Sequence, residues 1–121
     1  MVALSGELGA GKTTLTKGIA QGLGVSGKEY VTSPSFIIAR EYKGKFPVYH
    51  IDLFRLDAKQ LETTGFEEYI GRDGVCIIEW AEKAAFALPS EYLKIKLAVK
   101  GEKERELKVF GVGQRYKKLL C

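Results

Sequence analysis

The residues with the types and spacing for chemistry begin at Gly6-Glu7-Leu8-Gly9-Ala10-Gly11-Lys12-Thr13. Two framing glycines, a lysine and a hydroxyl residue at this spacing form a phosphate-binding loop. Its glycines let successive backbone N–H groups point at one anion. A helix opening at Lys12 would add the positive end of its dipole. Lys12 can then reach β- and γ-phosphates, and the Thr13 hydroxyl can ligate Mg²⁺. A tight glycine turn that binds nothing is the plainer reading. It loses ground because a short apolar strand, Val2-Ala3-Leu4-Ser5, precedes the loop, and Leu15, Ile19, Ala20 and Leu23 follow it at helical spacing.

Hydrolysis needs acids beside that loop. Glu79 ends the apolar run Val75-Cys76-Ile77-Ile78 and is the first candidate to hold Mg²⁺, against an acid that simply exits a strand into solvent. Asp52 follows Val48-Tyr49-His50-Ile51. It is a candidate for holding Mg²⁺ through water or orienting the attacking water, against capping a local turn or pairing with Arg55. Thr32-Ser33-Pro34-Ser35 is a hydroxyl-rich loop at the place where switch-type NTPases sense the γ-phosphate. Taken alone, it reads as an ordinary loop. Arg40 and Arg55 are possible charge stabilisers, although surface ion pairs are the commoner use. His50, the sole histidine, lies on an apolar strand and suggests a hydrogen-bonded structural role more than catalysis. Trp80 directly follows Glu79 and suits packing near the nucleotide, a partner-facing aromatic or simple core filling.

These side chains need a scaffold. The first helix is expected over Lys12–Gly22, stopped by Gly22-Leu23-Gly24. A polar loop follows from Val25 to Pro34. Phe36–Tyr42 and Val48–Leu53 read as strands of a hairpin around Lys43-Gly44-Lys45. Asp57 is the expected N-cap of a helix through Glu62, interrupted at Gly65, with a further turn over Phe66–Ile70. The continuous apolar run at 75–78 predicts a strand buried on both faces. Ala81–Leu88 reads as a short helix or loop. Tyr92–Val99 alternates cleanly and pairs across Lys100-Gly101-Glu102-Lys103 with Glu106–Phe110, before a final helix over Gly113–Leu120. The expected fold is α/β: a P-loop NTPase-like three-layer sandwich, with a mixed sheet and β-hairpins inserted into a parallel core.

Composition bounds the rest. The 121 residues suit a single domain, 1–121, and 45% hydrophobic content allows a real core. No apolar run approaches a membrane span, and Met1-Val2-Ala3-Leu4 passes straight into the phosphate loop without a basic leader, so a cytoplasmic location is expected. Cys76 and Cys121 read as a buried small hydrophobe and a tail thiol, not a disulfide or metal pair. The net charge of +4 suits an anionic ligand. Arg115-Tyr116-Lys117-Lys118 reads first as a solvated helix end whose cations complement the dipole, and second as a surface for RNA or a partner.

Four ordered motifs now stand together: Gly-Glu-Leu-Gly-Ala-Gly-Lys-Thr-Thr, Thr-Ser-Pro-Ser-Phe, His-Ile-Asp-Leu-Phe-Arg-Leu and Ile-Glu-Trp-Ala-Glu. Over Leu4 to about Phe110 the chain resembles the TsaE (YjeE) family, bacterial P-loop ATPases needed for threonylcarbamoyl-adenosine in tRNA. The resemblance implies ATP and Mg²⁺ as cofactors. It places Glu7, Leu8, Gly9, Ala10, Gly11, Lys12, Thr13 and Thr14 around the phosphates, Thr13 and Glu79 on Mg²⁺, and Asp52 in hydrolysis and near the metal. Ser33, Pro34 and Ser35 match the family's switch loop, whose third position is usually Thr. Trp80 matches the tryptophan beside the metal-binding acid, and Arg105 a late arginine near the nucleotide. The family's partners are TsaB and TsaD. TsaD makes the transfer to tRNA, and ATP hydrolysis by TsaE resets the pair. One departure is visible. Members usually carry a strand and helix before the loop, whereas five residues precede Gly6 here, which bears on the adenine pocket and leaves the Val2-Ala3-Leu4 edge exposed.

The expected activity is therefore slow Mg²⁺-dependent ATP hydrolysis that a partner changes, with tRNA engaged through the TsaB–TsaD-type complex. Two rivals remain: a small-molecule P-loop kinase, which would need an arginine-bearing lid that does not stand out here, and a nucleotide-gated binding module without significant catalysis.

Overall fold

The computed structural model describes residues 1–7, 10–25, 39–63, 65–70 and 73–120. The expected switch loop, with Ser33 and Ser35, and the loop positions Leu8 and Gly9 lie outside them, as does Cys121. The elements run β1 (Val2–Gly6), α1 (Lys12–Gly22), β2 (Ala39–Lys43), β3 (Pro47–Asp52), α2 (Ala58–Thr63), a 3₁₀ turn (Phe66–Tyr69), β4 (Val75–Glu79), a 3₁₀ stretch (Ala81–Ala87), β5 (Tyr92–Val99), β6 (Arg105–Val112) and α3 (Gln114–Leu119).

The six strands form one mixed sheet in the order β2-β3-β4-β1-β5-β6. Its centre is parallel: β3 on β4, β4 on β1 and β1 on β5. Val2-Ala3-Leu4 is therefore not the exposed edge expected from the sequence: β4 and β5 pair with it on both sides, and all three residues are buried. The two hairpins supply the antiparallel edges, β2 on β3 and β6 on β5. They extend the parallel core at either side and do not interrupt it.

Alternation along the strands divides the core in two. Leu4, Val48, Ile77 and Ile95 face α1, where Leu15, Ile19 and Leu23 close over them. Ala3, Ile51, Cys76 and Ile78 face the opposite way and meet Leu61, Phe66, Ala81 and Ala84. Helix, sheet and helical turns thus make three layers. Asp57 caps α2 as expected: its Oδ1 accepts from the Gln60 N–H at 2.8 Å, while Gln60 Oε1 accepts from the Asp57 N–H at 3.0 Å.

Several boundaries differ from the sequence reading. β6 begins at Arg105 and runs past Phe110 to Val112. Gly111 permits the extension, because a Cβ there would lie 2.4 Å from the Tyr116 backbone of α3. The segment after Glu79 is a kinked 3₁₀ stretch, broken at Ala84.

Candidate functional site

The site assembles where β1, β3 and β4 end beneath the start of α1. β1 finishes at Gly6, and a Cβ there would sit 2.4 Å from the Leu97 carbonyl oxygen of β5. Only glycine lets the chain leave the sheet at that point. Gly11 then caps α1 in the left-handed region at φ 102°, and no acidic residue occupies the first turn. The helix therefore presents the positive end of its dipole toward the loop with no acid of its own in the first turn. Ala10 is buried, Thr14 is exposed, and the Glu7 carboxylate turns away to accept from the Val99 N–H at 3.2 Å. Glu7 contributes to the loop through its backbone: its carbonyl accepts from the Ala10 N–H at 3.1 Å.

Lys12 is 5% exposed. Its Nζ donates to the Gly6 carbonyl at 2.6 Å and the Glu7 carbonyl at 2.9 Å. The same ammonium lies 4.2 Å from the centroid of the Trp80 ring. Burial pushes the Lys12 pKa below its usual value, against the opposing pull of Glu79, Glu82, Asp52 and Glu7. Trp80 itself takes φ 61°, the sole positive φ at a non-glycine among the described residues. A bulky residue in that region stores local strain, a feature that clusters at functional sites. The turn ends β4 immediately after the acid and lays the indole beneath Lys12, with the Phe54 ring 5.1 Å away.

Glu79 is 2% exposed. It pairs in register with Leu4 on one side and Asp52 on the other, so Asp52 and Glu79 stand side by side at the ends of adjacent parallel strands. The Leu53 N–H donates to the Glu79 carbonyl at 3.2 Å, tying the two strand ends together. Thr13 Oγ1, in the first turn of α1, donates to Glu79 Oε1 at 3.0 Å and lies 3.3 Å from Oε2. Asp52 Oδ1 accepts from the Phe54 N–H at 3.0 Å. Burial raises the Asp52 pKa above its usual value; the Phe54 N–H opposes that and Glu79 adds to it. Arg55 does not pair with Asp52, and both Arg55 and Arg40 are exposed.

The donor set fits Mg²⁺. A hydroxyl with one or two carboxylates is the protein share that Mg²⁺ takes when phosphates and water supply its other ligands. Among the described residues, no group of three or more His, Cys, Asp and Glu side chains forms a closed cage.

Beside the loop, a groove of about 580 Å³ runs between α1 and the β5–β6 turn, lined by Ala10, Gly11, Thr14, Leu15, Gly18, Leu97 and Leu107 with the charged Glu102, Lys103 and Arg105. Arg105 is exposed, and its guanidinium donates to the carbonyls of Gly101 and Glu104 at 3.0 Å each. The arrangement thus brings Lys12, Thr13, Asp52, Glu79 and Trp80 together and places Arg105 on the adjoining groove. His50 joins this group as well. Fully buried, it hydrogen-bonds through Nε2 to Glu79 Oε2. The sequence reading missed that partner. The available signal was the two-residue spacing of His50 and Asp52, which puts both on one face of β3.

A strand, glycine loop and helix, with a buried acid ending the neighbouring parallel strand, define the P-loop class of fold. The comparisons narrow this further. The family profile described as threonylcarbamoyl adenosine biosynthesis protein TsaE matches residues 1–107. A Bacillus subtilis protein called tRNA threonylcarbamoyladenosine biosynthesis protein TsaE is 44% identical over 122 residues, covering 100% of this chain and 75% of its own. A Haemophilus influenzae protein of the same name is 45% identical over 100 residues, covering 80% of this chain and 61% of its own. The crystal structure of Bacillus subtilis YdiB superposes with a TM-score of 0.81 at 42% identity, over 98% of this chain and 72% of that one. The chain belongs to the TsaE family.

Proposed function

We propose that this chain is an Mg²⁺-dependent ATPase that supports threonylcarbamoyl-adenosine modification of tRNA by binding and resetting a TsaB–TsaD-type complex. One observation carries the reading: the Thr13 hydroxyl of the phosphate loop is hydrogen-bonded to the buried carboxylate of Glu79, with the Lys12 ammonium in the same pocket. The loop amides around Glu7, Leu8, Gly9, Ala10 and Gly11, with Thr14, cradle the phosphates, and Lys12 exchanges its two carbonyl partners for phosphate oxygens. Thr13 and Glu79 would hold Mg²⁺, with Asp52 beside them, and the bound ion would supply charge neutralisation to the phosphates. Asp52 also orients water, and Ser33 and Ser35 of the switch loop report the γ-phosphate. The base and ribose take the groove along α1, with Arg105 at its side. Trp80 backs the phosphate lysine.

Arg40 and Arg55 are exposed, so charge stabilisation by a guanidinium is expected from a partner and hydrolysis by the chain alone is slow. Contact with tRNA runs through the complex. A cytoplasmic location follows from that role; among the described residues no helix is long and apolar enough to cross a membrane. The test is phosphate release from Mg-ATP, with and without a TsaB–TsaD-type complex. Hydrolysis that changes with the complex supports the reading. Tight nucleotide binding without hydrolysis in either condition replaces it with a nucleotide-gated binding module.

A further inference from the structure

The geometry points to His50 as the residue that positions the Glu79 carboxylate, an inference that rests on the reading of Glu79 as a cation-holding acid. His50 lies on β3, in register with Arg40 on β2 and Ile77 on β4, and its side chain is completely buried. Its Nε2 is bonded to Glu79 Oε2, while its Nδ1 is buried with no hydrogen-bond partner among the described residues. A proton on Nδ1 would be a buried donor without an acceptor, which costs more than a bare lone pair in apolar surroundings. The imidazole is therefore the Nε2–H tautomer, donating to the carboxylate. A histidine that only filled the core would find its partner in the backbone or in a peripheral side chain. Among the described residues its hydrogen bond goes to the acid at the site.

Glu79 is held from two sides, by Thr13 from the loop and by His50 from β3. The Thr13 O–H can go on donating to Glu79 while a lone pair of the same hydroxyl faces a cation. The His50 bond reaches the carboxylate from the other side, from within the sheet, and occupies one lone pair of Oε2. His50 thus keeps the carboxylate in a single rotamer while its remaining lone pairs face the loop. Outer partners of this kind change metal affinity by about 10- to 100-fold.

The test is Mn²⁺ binding to the chain with a non-hydrolysable ATP analogue, followed by electron paramagnetic resonance. His50→Leu should weaken Mn²⁺ by at least about tenfold. Affinity for the analogue without metal should stay unchanged, and His50→Gln, which keeps a donor, should recover most of the loss. Unchanged Mn²⁺ affinity in a folded His50→Leu variant overturns the inference alone, as does equal loss in the Leu and Gln variants. Failure of the unsubstituted chain to take up Mn²⁺ overturns the reading of the site and the inference with it. Should His50→Leu not fold, the unsubstituted chain decides the matter by nitrogen NMR, since it holds one histidine. An Nε2–H signal that moves in Glu79→Gln supports the assignment; an Nδ1–H tautomer refutes it.

Discussion

The two faces of the central sheet are built from the same strands to different ends. On the face away from α1, Ile51, Leu53, Phe66 and Ile78 are fully buried among apolar neighbours. On the α1 side sit Lys12, Thr16, His50 and Glu79, the buried polar and charged residues among those described. Desolvating such groups costs free energy unless each finds a partner. Lys12 bonds two loop carbonyls, Thr16 bonds the Lys12 carbonyl at 2.9 Å, and Glu79 bonds Thr13 and His50. Both faces bury apolar area, and among the described residues the α1 face also holds the buried polar and charged side chains.

If that division is real, substitutions should separate cleanly. The largest effect is expected from Phe66→Ala, which leaves a cavity on the apolar face and should cost about 3–5 kcal/mol in urea unfolding. Nucleotide affinity per folded molecule should not change; an affinity that falls in step with stability would break the comparison. Lys12→Ala should do the reverse, cutting phosphate release at least about 100-fold, or about 2.7 kcal/mol of barrier. Its thermal midpoint should stay close to that of the unsubstituted chain, because the buried ammonium is held at a desolvation cost.

Cys76 gives the smallest and sharpest test of the apolar face. Burial pushes its thiol from 9.0 up to about 12. Above pH 9 the unfolded chain releases a proton that the folded chain keeps, so stability present below that pH is lost as pH rises toward 12. The alkaline loss measured by urea unfolding should be shallower in Cys76→Ala than in the unsubstituted chain. Equal slopes would mean that water reaches this face.

Much of this was legible in the residues because local chemistry set it. The Lys12–Gly22 helix runs between a glycine-rich loop and a Gly-Leu-Gly stop, and its observed bounds match. The run at 75–78 has apolar residues on both sides of the pleat, and β4 is indeed buried on both faces. Non-local features were hidden. Strand order depends on which edges meet in space, so the pairing of His50 with the Glu79 strand could not be seen. Neither could the extension of β6, since the need for Gly111 arises from α3 passing against it. Trp80 looked like an aromatic near the site; its left-handed backbone, which aims the ring at Lys12, is a property of the folded turn.

The contacts of Lys12 have a bearing on discrimination among anions. With its ammonium already engaged by two carbonyls and an indole face, the pocket is self-competed, and an incoming anion must displace an internal ligand instead of meeting a free cation. A lone inorganic phosphate offers little beyond what it displaces. A polyphosphate brings further oxygens to the loop amides and to a cation in the same event. On the proposed reading of this loop as a phosphate site, the lysine would act as a threshold that favours chelating, multiply charged ligands over small anions.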